Sequence, residues 1–311
     1  VVVLGDLMLD KYLWSSVERI SPEAPVPIAR VEKETFVPGG AANTIYNLSS
    51  LDIRVEALGV VGDDGAGRQL LKMLSGKSVG TLGLLIDSSR PTTLKTRVMS
   101  GNHQMIRIDY EDSKEIDLKL ENKLLSVAEQ VLENANVLVI SDYSKGLISP
   151  RLARRLISLA KAIQIKVLVD PTPQSFGKYQ GSYLIKPNKR EAEFIVNERV
   201  SDDYSNLRRL GLKIIKKLKT KVAFITLGKD GIAVVDSDNG FFRIPTMARG
   251  VYDVSGAGDT VMAALAACLS CGASLKQASV ISNLCAGIVV GKLGTATCSR
   301  QELVKYIKEK L

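Results

Sequence analysis

The chain has 311 residues, 45% of them hydrophobic and 24% charged, with a formal net charge of +9. That length and apolar content build a full core, and with no low-complexity run or internal repeat they exclude disordered and solenoid proteins. No apolar run approaches the roughly 18 residues of a membrane helix or forms a secretory signal, so the expectation is a cytoplasmic protein with no membrane partner.

The chain opens on an apolar run at 1 to 5, and similar β-branched runs recur at 55 to 61, 137 to 141, 166 to 170 and 222 to 227. "VLVIS" and "VLVD" are continuously apolar rather than alternating, the pattern of strands buried on both faces. Helical patterns follow most of them. This predicts an α/β protein whose parallel sheet carries helices on both faces, organised as a single domain over 1–311. In such sheets ligands gather at the carboxyl ends of the strands. Polar residues stand at those ends: Asp6 and Asp10 after the first run, Asp142 after "VLVIS", Asp170 after "VLVD", and Thr226 with Gly228 after the fifth.

Two segments break the rhythm. Residues 11 to 36 include "ISPEAPVPIARVEKETF", where three prolines forbid a helix, and "TTLKTRVMSGNHQMIRIDY" at 92 to 110 reads as two strands around Ser100-Gly101-Asn102. Segments of about 11–36 and 91–110 are therefore expected to form a small β-sheet lid. Between them "FVPGGAANTIYNL" turns at Gly39 and Gly40 into a helix with Asn43 and Asn47 on one side. A glycine turn at a helix start serves a ligand or merely the chain's path about equally often.

Seven basic residues crowd into "RRLGLKIIKKLKTK" at 208 to 221, read as a helix whose apolar face is Leu212, Ile215 and Leu218. A solvated helix face explains the charge without nucleic acid, and no nucleic-acid motif accompanies it. The four cysteines, Cys268, Cys271, Cys285 and Cys298, with a single histidine, supply too few ligands for zinc and read as small buried thiols. The lone His103 also excludes a mechanism needing a histidine pair, so any acid–base chemistry falls to carboxylates.

"DVSGAGDTVMAALAACLSCG" closes the pattern: a glycine turn at 256 to 258, then Asp259, then a helix apolar on every face. The orphan N–H groups and positive dipole end of a buried helix call for an anion. Asp259 answers that need as a cap, or as a working residue beside a bound anion.

Taken in order, "PGGAAN", "KPNKREAE", "TLGKDGI" and "DVSGAGD" resemble the landmarks of the ribokinase-like, or pfkB-type, carbohydrate kinases, and the resemblance spans the whole chain. "RISPEAPVP" and "SDYSKG" look most like the heptose 7-phosphate kinases that serve lipopolysaccharide core precursors. The resemblance implies a ribokinase-like fold, an ATP- and Mg²⁺-dependent kinase, and a homodimer made by pairing lids. It implies that Asp259 is the general base and that Gly256, Ala257 and Gly258 hold the charge on the transferred phosphoryl group. Asp10, Gly39, Gly40 and Asn43 would bind the sugar. Asn188 and Glu191 would serve Mg²⁺ waters and ATP, Thr226 and Gly228 the nucleotide, and Asn283 the adenine pocket. Asp253, Ser255 and the 289 to 298 loop resemble a K⁺ site, with Val254 and Cys298 departing from the usual residues there. For the sugar's own phosphate, Arg97 and Arg107 of the lid hairpin, with Lys95, and Lys145 from the loop carrying Asp142, form a candidate cationic clamp. Their other reading is cross-strand pairing with Asp109 and Glu111.

A dinucleotide-binding oxidoreductase is disfavoured because its glycine fingerprint belongs after the first strand. A non-catalytic sensor on the same fold should have lost the base or the turn. A kinase for another sugar, such as ribose, a fructose phosphate or a nucleoside, is the serious alternative, since fold does not fix substrate.

Overall fold

The computed structural model describes residues 1–75, 79–172, 175–238, 240–248, 250–292 and 294–309. Nine strands form the main sheet in the order β13 (Gly240–Ile244), β12 (Ile232–Asp236), β11 (Val222–Thr226), β10 (Leu184–Ile185), β9 (Lys166–Asp170), β8 (Val137–Ser141), β1 (Val2–Gly5), β4 (Val55–Val61) and β5 (Val79–Ile86). All neighbours run parallel except β11 with β12 and β12 with β13. That antiparallel edge was not anticipated from the sequence.

Alternation along the strands explains the continuous apolar runs. Val2, Leu4, Leu138, Ile140, Val167 and Val169 enter one core, whereas Val3, Val137, Val139 and Leu168 enter the other. The first core is covered by α3 (Leu118–Leu132), α4 (Pro150–Ala162), α5 (Lys189–Val196) and α6 (Tyr204–Leu218). The second is covered by α1 (Ala41–Ser50), α2 (Gly65–Ser75), α7 (Ala257–Ser270) and α8 (Leu275–Val289), with α9 (Arg300–Lys308) following. Each large aliphatic side chain so buried contributes about 1.5–3 kcal/mol. Helix α4 shows how its start is fixed: the Ser149 hydroxyl accepts the Leu152 N–H at 3.0 Å and Pro150 takes the first helical position.

The phase of α6 differs from the expected one. Leu207, Leu210, Gly211, Ile214 and Leu218 are buried, while Leu212 is exposed. The helix starts earlier, at Tyr204 with Asp203 as its cap, and its face closes through Gly211, where a Cβ would stand 2.2 Å from Val235. Close approach at a glycine, invisible to a hydrophobicity pattern, rotated the face by about one residue.

The small sheet has the order β3 (Pro27–Gly40), β2 (Leu7–Ile20), β6 (Thr93–Ser100) and β7 (His103–Tyr110). Its strands extend beyond the expected segments, because β2 begins two residues after β1 and β3 runs directly into α1. These short connections tie the lid to the mouth of the main sheet. Cys285 and Cys298 are buried with Ala264 and Val289, but Cys271, expected buried, is exposed at the end of α7. Among the described residues no helix is long and apolar enough to cross a membrane.

Candidate active site

Asp259 lies in the first turn of α7, 5% exposed. Its Oδ2 accepts the Asn43 amide at 2.8 Å, and its Oδ1 accepts the Tyr143 hydroxyl at 2.6 Å and, more distantly, that of Thr44 at 3.5 Å. Asn47 donates to Asn43 and accepts from Thr260, so α1 and α7 are riveted together behind the carboxylate. Burial, with the charge of Asp170 adding to it, pushes the Asp259 carboxyl up to about 6, against the lowering effect of the bonds from Tyr143 and Asn43. A carboxylate so tuned is placed to take a proton near neutral pH.

The turn ahead of it needs glycine at 256 on two counts. Its φ is 76°, and a Cβ there would stand 2.6 Å from the Asn43 amide nitrogen and 2.8 Å from Thr295. Gly256→Ala is expected to cost roughly 1–3 kcal/mol, read as a lower Tm, because an L side chain in this backbone region is strained before any clash is counted. A variant as stable as the parent would refute that account. Among the described residues the N–H groups of Gly256, Gly258 and Asp259 have no intramolecular partner, whereas Ala257 donates to the Val254 carbonyl at 3.2 Å. Among the described residues the free donors at this helix end are therefore Gly256, Gly258 and Asp259, while the N–H of Ala257, the first residue of α7, is used within the turn.

Thr226, Gly228, Ala257, Gly258, Asn283 and Gly287 line one cleft, which unites the sequence-predicted nucleotide residues with the glycine turn. The Asn283 amide donates to the Pro245 carbonyl at 2.6 Å, so it fixes the cleft wall. Asn188 and Glu191 form a reciprocal capping box on α5, with bonds of 2.8 and 3.0 Å. Burial, and after it the nearby Asp170 charge, raises the Glu191 carboxyl above its ordinary range, a setting that a cation would relieve.

Lys186 was given no role by the sequence reading, and Asp170 was read only as a polar residue at a strand end. Lys186 and Asp170 form a 2.9 Å ion pair with side chains 5% and 16% exposed. The Lys186 ammonium lies 3.5 Å from where a Cβ on Gly258 would stand, so a buried cation sits over the glycine turn. Burial raises the Asp170 carboxyl, with Lys186 opposing. The only sequence signal was a lysine beside Pro187 at a strand end.

On the other side of Asp259 the lid meets the main sheet. Asp10 accepts Arg97 at 2.6 Å, and Arg97 also lies over the Tyr12 ring at 5.3 Å. A Cβ on Gly39 would come within 2.7 Å of Asp10, so the "PGG" turn leaves room for that carboxylate. Register pairs Arg97 directly with Arg107 across β6 and β7. Lys95 bridges Asp109 and Glu111, Arg107 pairs with Asp109, and Lys145 reaches Glu111 at 2.7 Å. Every cation of the candidate clamp thus has a carboxylate partner here. Asp142 does not face the cleft: it is 3% exposed and engaged by Lys178, Tyr179 and the Ser144 N–H, which shapes the loop.

Asp253 accepts the Ser255 N–H at 2.8 Å and the Gly294 N–H at 3.1 Å, which draws the two halves of the suggested cation site together; residue 293 of that loop lies outside the described residues. The Cys298 side chain packs into the buried cluster with Cys285, its Sγ 3.7 Å from the Ser299 carbonyl oxygen.

A buried carboxylate at a helix start, a cation over a glycine turn and a cleft beside them suit a group-transfer site. The family model for pfkB family carbohydrate kinases matches residues 1–302, and the chain belongs to that family, whose class is the ATP-dependent sugar kinases. It is 40% identical over 307 residues to the bifunctional protein HldE of Wolinella succinogenes, across 99% of this chain and 64% of that protein. It is 42% identical over 307 residues to the bifunctional protein HldE of Helicobacter hepaticus, across 99% and 63%. The chain spans just under two thirds of the length of these curated relatives. Phosphofructokinase-2 of Escherichia coli, in complex with substrates and products, superposes with a TM-score of 0.82 at 22% identity, covering 100% of this chain and 99% of that one. Ribokinase of Arabidopsis thaliana, complexed with ribose and ATP, gives 0.77 at 17% identity, covering 99% and 98%. What those two share with this chain is the ribokinase-like fold.

Proposed function

We propose that this chain transfers the γ-phosphoryl group of ATP to the anomeric hydroxyl of D-glycero-D-manno-heptose 7-phosphate, giving the 1,7-bisphosphate. The observation that carries the chemistry is the buried Asp259 carboxylate at the positive end of α7, immediately after Ala257 and Gly258 of the cleft lining and bonded to Asn43 of α1, the helix that follows lid strand β3. Asp259 takes the proton of the attacking hydroxyl, the N–H groups of Gly256 and Gly258 and the Lys186 ammonium hold the charge of the moving phosphoryl group, and Asp10 and Asn43 orient the sugar. Asn188 and Glu191 supply oxygen atoms suited to Mg²⁺ waters; the ion, when bound with ATP, neutralises phosphate charge. Asp253, Ser255 and the neighbouring loop would take K⁺.

The substrate reading draws on the 40% relatives and on the lid, where Arg97 and Arg107 stand side by side. Each is paired with a carboxylate, Arg97 with Asp10 and Arg107 with Asp109, so a sugar phosphate would have to share or displace those partners. Ile106, Ile108 and Tyr110 of β7, on the opposite lid face, are exposed and apolar, and a second copy of the chain would cover them in a homodimer.

A panel of phosphorylated sugars, assayed for ADP release with NMR of the product, tests the reading. Heptose 7-phosphate is expected to be preferred and phosphorylated at the anomeric carbon; a preference for ribose or fructose 6-phosphate overturns it. Chelator in excess over divalent ion is expected to lower turnover at least about 100-fold, since the metal supplies several kcal/mol of charge stabilisation. Full activity under those conditions would refute the metal assignment.

A further inference from the structure

The Tyr143 hydroxyl donates to Asp259 Oδ1 at 2.6 Å, the distance and donor type expected of a sugar hydroxyl about to give up its proton. The other donors cannot be exchanged so readily. Asn43 is held by Asn47 within the buried α1–α7 contact, and Thr44 lies on α1 itself. Tyr143 belongs to the loop after β8, with Ser144 at φ 56° and Gly146 at φ 82°. That loop is pinned by the Tyr143 and Lys145 N–H groups on Asp6, at 2.7 and 3.2 Å, and tied to the lid by Lys145 on Glu111.

We propose that Tyr143 is a placeholder on the catalytic base: its phenol occupies the acceptor position and withholds Asp259 from water until a sugar hydroxyl displaces it. This rests on Asp259 being the base. The phenol is a safe occupant because burial and the neighbouring carboxylates of Asp259 and Asp170 keep it protonated, so it donates a hydrogen bond without surrendering the proton. Its link to the lid places sugar arrival and phenol departure on one loop. Without the phenol, water at Oδ1 would give its proton to Asp259 while its oxygen bonds the γ-phosphorus and ADP leaves, hydrolysing ATP to ADP and phosphate.

The test is ADP release by Tyr143→Phe in ATP alone and with sugar phosphate. The expected result is sugar-independent hydrolysis raised about 10-fold, a part of the 10²–10⁴ that a positioned base supplies to a bound hydroxyl, with sugar transfer changed only a few-fold. The excess hydrolysis should vanish in Tyr143→Phe/Asp259→Asn. Tyr143→Met, which keeps bulk without the hydroxyl, carries the same expectation should the phenylalanine variant fold poorly. Hydrolysis unchanged, or hydrolysis and transfer falling together, overturns the placeholder role. Normal transfer by Asp259→Asn alone instead removes the base assignment on which the role stands, so the two failures are distinct.

Discussion

Replacing Asp259 by asparagine is expected to lower kcat for sugar phosphorylation by about 10² to 10⁴ while leaving ATP binding nearly intact. Asparagine matches the carboxylate in size; its amide oxygen can accept from Asn43 while its NH2 donates to the Tyr143 hydroxyl oxygen, so the packing of α1 against α7 survives. What disappears is the ability to take a proton. The carboxyl is pushed up to about 6 by burial and by the charge of Asp170. Protonation disables a base, so kcat/KM of the parent should fall as pH drops through about 6 and level off above it. The asparagine variant should lose that acid limb along with the rate. Lys186 and Asp170, also near the site, keep their pairing in the variant and so do not mimic the loss. Rates measured from pH 5 to 8 decide the matter: near-normal turnover, or an acid limb that persists unchanged in the variant, would remove Asp259 from the role.

How much of this was legible in the sequence depended on the range of each signal. The doubly buried strands β1, β8 and β9 announce themselves as unbroken apolar runs, and the lid through prolines that no helix accepts. Strand β10, two residues long, has no periodicity to detect, and the apolar run of β12 does not reveal that it pairs antiparallel. The α6 face was misplaced because its contact with Val235 is made at Gly211, which carries no hydrophobic signal. The glycine turn and Asp259 are contiguous and so visible. Tyr143 is 116 residues away from Asp259, and only folding brings its hydroxyl to the carboxylate. Lys186 was quoted within a motif, yet nothing local says that its ammonium lies over a turn more than seventy residues later. Asp142 shows the converse: a polar residue at a strand end whose carboxylate is spent on shaping its own loop.

Arg97→Ala is expected to raise KM for the phosphorylated sugar roughly 10- to 100-fold with little change in KM for ATP, the loss of one charge-assisted contact. The cleft proposed for ATP is lined in part from β11, α7 and α8, and Arg97 lies on the lid, which is why the two constants should separate. One complication is Asp10. It accepts Arg97 at 2.6 Å, so removing the guanidinium also leaves a buried carboxylate unpaired beside the sugar. Comparing two acceptors resolves this. A misplaced Asp10 would weaken heptose and heptose 7-phosphate alike, whereas a lost phosphate contact weakens only the second. The parent should therefore favour heptose 7-phosphate strongly over heptose, and Arg97→Ala should erase most of that preference. Arg107→Ala should act in the same direction but more weakly, because Arg107 is half exposed and shares Asp109 with Lys95. Lysine at 97 should restore charge but not the two-pronged grip, giving an intermediate KM. Equal catalytic efficiency of the parent on the two sugars would show that the lid reads no phosphate, and would turn the assignment toward an unphosphorylated acceptor.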